Sequence, residues 1–193
     1  MSSKRNEISY YPEIQRYIET QLISNFKYSS NQDLHVFWGI GELRSNLLKI
    51  ISSNWEICRN AFDFANMLPP LNLDIFGLIT DGENYDLLIL EVKLLKSAGL
   101  KEWSQLVGYC LVSKAKYGFL INIDGTASSR LSDILNSDSS ISKIVTIESN
   151  NEIVHKLGFL EWDSVTQDFA YTNLGYLRSL SKLSDDVFEE FSH

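Results

Sequence analysis

A chain of 193 residues with 44% hydrophobic and 22% charged content belongs with globular proteins and falls outside the disordered and fibrous classes. Seventeen Lys and Arg against 25 Asp and Glu give a formal net charge of −8, which excludes a protein that coats nucleic acid through a broad basic face but suits carboxylates gathered around a divalent cation. No apolar run approaches the roughly 20 residues of a membrane span, and no apolar segment follows Lys4 and Arg5, so the expectation is a cytoplasmic protein with two reduced, buried thiols, Cys58 and Cys110.

Ile14, Tyr17, Ile18, Leu22 and Phe26 recur at helical spacing behind Pro12 and predict a helix over 12–27. The short aromatic run 34–40 predicts a strand, broken at Gly39 and Gly41. Leu43, Leu47, Leu48, Ile50 and Ile51 then form one helical stripe that starts at Glu42 and ends in Ser52, Ser53 and Asn54. A strand is expected over 55–60, and Pro69 and Pro70 stop any regular element after it. Strands over 73–79 and 86–93 are joined by 80–85, where Asp81 and Gly82 signal a hairpin turn. Residues 87–90 are apolar on both faces, which places that strand at the centre of a sheet. Leu100, Trp103, Leu106, Val107, Cys110 and Leu111 mark a helix in which Gly108 suggests close backbone packing, and 117–123 reads as a buried strand. Farther on, a short helix over 131–135, a strand over 143–147, a hairpin of 157–162 with 167–172 and a partly helical segment 174–191 are expected. The chain thus reads as one α/β domain over 1–193, with a core at 41–123 in the order αβββαβ, a central mixed β-sheet flanked by helices, and additions at 12–27 and 124–193.

Chemistry concentrates on the central hairpin. Counting outward from 79 and 86 pairs 78 with 87, 76 with 89 and Asp74 with Glu91, so two carboxylates share one face with β-carbons about 5 Å apart. Like charges so placed repel unless something positive lies between them, and a divalent cation is the natural candidate. Lys93, two residues past Glu91, points to the same face. The bland alternative is that the three charges are the wetted end of a buried strand. Glu42 at a helix start is equally explained by the helix dipole, and Gln105 with Tyr109, four apart on one helical face, by solvent exposure. His35, His155 and His193 have no metal spacing, and no phosphate-binding glycine loop or serine-hydrolase motif occurs.

With these residues in view, the segment 41–123 resembles the PD-(D/E)xK nuclease superfamily, through Glu42 at the helix start, Asp74, Glu91-Val92-Lys93, and Gln105 with Tyr109. The stretch from Glu42 into Trp55 and Arg59 is similar to Holliday-junction resolvases and Mrr-type restriction enzymes, and Gln105 to Tyr109 is similar to the RecB- and Cas4-type branch. Leu73 stands where the superfamily's proline stands. The resemblance implies a restriction-endonuclease-like core and Mg²⁺-dependent hydrolysis of DNA phosphodiesters, with Mn²⁺ as a substitute. It implies Asp74, Glu91, the Val92 carbonyl and Glu42 as metal ligands, Lys93 as the residue that orients water or offsets phosphate charge, and Gln105 and Tyr109 as substrate-positioning residues. Lys93, Lys96, Lys101, Lys114, Lys116 and Arg130 are the local reserve of positive charge. Nucleic acid, chiefly DNA, is the implied partner, without a membrane, in a homodimer or a larger complex. The rival reading is a non-catalytic binding or assembly module on the same fold, in a defence or mobile-element complex.

Overall fold

The computed structural model describes residues 6–29, 33–148 and 151–192. Its centre is a mixed sheet in the order β1-β2-β3-β5-β8-β7, with β9 also paired to β8. These strands are β1 (His35–Glu42), β2 (Asn72–Thr80), β3 (Tyr85–Lys93), β5 (Tyr117–Ile123), β7 (Lys143–Glu148), β8 (Asn151–Asp163) and β9 (Asp168–Gly175). Strands β1, β2 and β3 are antiparallel neighbours, β5 runs parallel to both β3 and β8, and β7 and β9 return antiparallel to β8. A small parallel pair, β4 (Ser97–Ala98) and β6 (Thr126–Ala127), ties the segment after β3 to the segment after β5.

The two faces of the sheet carry separate apolar layers. On one, α1 (Tyr11–Ser29) and α7 (Leu180–Phe191) pack together, with Ile14, Ile18, Leu22 and Phe26 of α1 all fully buried at four-residue spacing. On the other lie α2 (Leu43–Ser53), α3 (Trp55–Cys58), α4 (Phe62–Met67), α5 (Leu100–Ser113) and α6 (Ser129–Ser137). Strand β3 is buried from Asp86 to Val92, as its unbroken apolar run predicts for a central strand. Among the described residues no helix is long and apolar enough to cross a membrane.

The central hairpin has the register obtained by counting. Ile79 pairs with Asp86, Leu78 with Leu87 and Phe76 with Ile89. The turn fixes it: the Asp81 Oδ1 accepts from the backbone N–H of Glu83 and Asn84 at 2.9 and 2.7 Å, and Gly82 takes the left-handed conformation at φ +95°.

Two elements depart from expectation. Gly39 and Gly41 do not end the first strand: β1 runs through both to Glu42, with a register shift between them. The run 55–60 is not a strand but α3 followed by a 3-10 turn, Arg59–Ala61. Cys58, Ala61, Ala65 and Leu68 are buried at spacings of three, four and three, which is a helical period that the aromatic and isoleucine content of 55–60 obscures. The strand that completes the antiparallel trio is β1, ahead of α2, so, the two-residue β4 aside, the order through the core is β-α-α-α-β-β-α-β rather than αβββαβ.

Candidate active site

Asp74 lies one step beyond the Ile75–Leu90 pair, where the ladder gives way to a side chain: its Oδ2 accepts the backbone N–H of Val92 at 3.0 Å. The Lys93 ammonium sits 3.1 Å from the same oxygen and 2.5 Å from Glu91 Oε1. The sequence-predicted trio of Asp74, Glu91 and Lys93 therefore converges on one point. It is recessed, with side-chain exposures of 25%, 1% and 20%.

The electrostatics follow from that burial. The Glu91 carboxyl is pushed up to about 7 by its removal from water and by the neighbouring Asp74, with the Lys93 ammonium pulling it part of the way back. The Lys93 ammonium, 2.5 Å from Glu91 Oε1, opposes the rise, and burial prevails over it. Burial alone would lower Lys93, but Glu91 and Asp74 outweigh it and push the ammonium up to about 12. The lysine is thus a fixed positive charge holding two carboxylates together.

Two further residues enter from a direction the sequence reading did not consider. The 3-10 turn Glu7–Tyr10 leads into α1, and Glu7 Oε2 accepts the backbone N–H of Leu94 at 3.2 Å, next to Lys93. Burial raises the Glu7 carboxyl, Lys93 opposes the rise and Asp74 adds to it. The buried Tyr11 hydroxyl lies 3.4 Å from Glu7 Oε1 and within the influence of Asp74, and its acidity falls through burial and both carboxylates. A local signal for this turn is present: Asn6 caps it, with Oδ1 accepting the N–H of Ser9 at 3.2 Å. Placing the helix start at Pro12 leaves Glu7 and Tyr11 outside it.

The other predicted residues are placed differently. Glu42 is the N-cap of α2, its two carboxylate oxygens accepting the N–H groups of Arg44 and Ser45 at 3.1 and 2.7 Å. Hydrogen bonds to Ser45 and Arg44 hold its carboxyl below the usual carboxylate range. No described contact joins it to Asp74, Glu91 or Lys93. Gln105 Nε2 donates to the Tyr109 hydroxyl at 3.0 Å, so these two bond each other along α5. Gly108 between them packs against nothing: a β-carbon there meets no atom within 4 Å, contrary to the close packing its presence suggests.

The reserve of positive charge is also smaller than expected. Lys116 is 3.2 Å from Asp86 and 2.9 Å from Glu190, in a network in which Lys156 meets Asp186 at 3.1 Å and Glu190 at 3.5 Å. Asp86 is the second residue of β3 and Lys93 its last, seven residues or about 23 Å away along an extended strand. Lys116, and Lys114 capping the end of α5 beside it, therefore belong to the pole opposite the candidate site.

Among the described residues, no cluster of three or more His, Cys, Asp or Glu side chains is spaced to hold a metal ion. Two carboxylates sharing one cation nonetheless fit Mg²⁺, which commonly takes one or two protein carboxylates and fills its octahedron with water and phosphate oxygens. Compared with family models, curated proteins and solved structures, the chain finds no match.

Proposed function

We propose that the protein is a metal-dependent nuclease that hydrolyses DNA phosphodiester bonds at Asp74, Glu91 and Lys93. The observation that carries the reading is the convergence of two carboxylates on one ammonium, with one carboxylate 1% exposed and titrating near neutrality. A purely structural ion pair has no need of a second carboxylate that burial works against. Perturbed, desolvated acids beside a specific charge partner are what phosphoryl chemistry uses.

Asp74 and Glu91, with the Val92 carbonyl, would hold Mg²⁺ or Mn²⁺. When bound, such an ion supplies Lewis-acid polarisation of the phosphodiester and acidifies a coordinated water. The chain's own residues do the rest. To act as a ligand Glu91 would release to solvent the proton it holds near neutral pH. Lys93, released from its two carboxylates, stays within reach of the reacting phosphate and offsets the negative charge that builds there. Tyr11 and the Val92 N–H keep Asp74 oriented. Glu42, engaged as the cap of α2, and Gln105 and Tyr109, bonded to each other along α5, have no assigned part at the reacting atoms in this reading.

A second reading is favoured by the absence of a three-ligand cluster among the described residues and by the self-neutralised trio. It makes the protein a non-catalytic binding or assembly module. Incubation of supercoiled, linear, single-stranded and branched DNA with purified protein in Mg²⁺ or Mn²⁺ separates the two. Metal-dependent cleavage lost in Asp74→Asn supports the nuclease, and no cleavage of any substrate supports the module.

A further inference from the structure

Lys93 ends β3, and the chain that follows it is held in a way that neither a loop nor a packing role requires. Asn122 is Lys93's partner in the parallel β3–β5 register, so the two side chains share a face of the sheet. It is fully buried. Its amide is consumed by the segment just past Lys93 and by Thr126: Oδ1 accepts the N–H of Leu95 at 3.1 Å, and Nδ2 donates to the carbonyls of Leu95 at 2.9 Å and Thr126 at 3.1 Å. The clamp leaves no slack. A β-carbon on Gly125 would lie 1.9 Å from the Leu95 carbonyl oxygen and 2.7 Å from Asn122 Nδ2, so the two backbones are in direct contact there. On its other side the same segment is held by Glu7, through the N–H of Leu94. Residues 93, 94 and 95 are therefore tied in succession by the two carboxylates, by Glu7 and by Asn122.

We propose that Asn122 is a positioning residue for Lys93: by fixing Leu95 it sets where the ammonium stands relative to Asp74 and Glu91. This inference rests on the reading of Lys93 as part of a nuclease site. A side-chain amide is suited to the task because it satisfies one N–H and two carbonyls at once, which neither Asp nor Leu of the same size does. Asp in its place keeps the acceptor for Leu95 N–H but turns an oxygen toward two carbonyls. The segment must then shift, and a displacement of about 1 Å at a charge acting on a reacting phosphate costs on the order of 100-fold in rate.

The test compares wild type with Asn122→Asp, with Asn122→Ser carrying the same comparison should the aspartate fail to fold. Lysines are labelled as [¹³C]dimethyl derivatives, and the Lys93 signal is assigned by its loss in Lys93→Arg. At a temperature where each variant is fully folded, we expect the Lys93 signal to shift while the other lysines hold. In the presence of Mg²⁺ we expect kcat to fall by about 10- to 100-fold with little change in KM. A lower melting temperature with kcat and the Lys93 signal both unchanged overturns the proposal and makes Asn122 a structural residue only. If wild type cleaves nothing, the nuclease reading fails by itself. The signal then decides alone: a shifted Lys93 supports positioning by Asn122, and an unmoved one overturns it.

Discussion

Replacement of Glu91 by Gln tests the claim that this carboxylate is held against its own preference. The carboxyl titrates at about 7 in the folded chain against 4.5 for an unburied glutamate, so ionising it costs about 3 kcal/mol more in the folded state than in the unfolded one. That value already contains the attraction of Lys93, because the ammonium is among its causes. A folded-state pKa raised above the unfolded value penalises the fold as pH rises. Below 4.5 both states are protonated and the penalty is absent; it grows between 4.5 and 7 and is constant above. Glutamine removes the charge and keeps the shape. In EDTA at pH 8, Glu91→Gln is therefore expected to be about 2–3 kcal/mol more stable than wild type, or about 5–10 °C in Tm, with the advantage shrinking to less than about 0.5 kcal/mol at pH 4.5. Urea unfolding at a series of pH values measures this directly. Equal stability at pH 8, or a loss, would show that the Lys93 pair repays the burial of Glu91 and would refute the reasoning.

Lys93→Met leaves Asp74 and Glu91 facing each other without their shared cation. It should cost about 3–5 kcal/mol at pH 8, with part of the loss recovered toward pH 5 as the Glu91 carboxyl protonates, and should lower any cleavage rate by at least about 100-fold; calorimetry and a gel assay read the two effects. Glu42→Ala removes the α2 cap, so urea unfolding should find a loss of about 1 kcal/mol with the response to Mn²⁺ unchanged. Gly108→Ala adds a methyl group to open space inside α5, and the same assay should find a gain of about 0.5–1 kcal/mol.

The hairpin was legible because its signals are local and agree. A two-residue period, an unbroken apolar run and the Asp81–Gly82 turn leave one register, and that register carries Asp74 one step past the Ile75–Leu90 pair, to the end of the hairpin where Glu91 and Lys93 lie. The helix stripes of α1, α2 and α5 were legible for the same reason, each having buried residues on one side only. Residues 55–60 were not, because Trp55 and Ile57 favour strands by type, whereas the deciding pattern, Cys58 to Leu68, spreads over three short turns. Glu7 and Tyr11 reach the site through tertiary contact with Leu94 and Asp74, which no spacing along the chain encodes. Lys116 shows the converse: it is near Lys93 in neither space nor role, because a parallel strand starts at the far end of its neighbour. Asn122 reads in the sequence as a polar residue inside an apolar strand, and only the Leu95 segment folded back upon it gives that residue a purpose.

The most direct test of the site is titration of the metal-free protein with Mn²⁺ by calorimetry at pH 6.5 and pH 8. Glu91 holds a proton for part of the time at the lower pH and must lose it to bind a cation. Wild type should bind Mn²⁺ at both values, release more protons at pH 6.5 than at pH 8, and lose binding in Asp74→Asn and in Glu91→Gln. Mn²⁺ binding that survives both substitutions, or no binding by wild type at either pH, would contradict the assignment of Asp74, Glu91 and Lys93 as a metal-dependent active site.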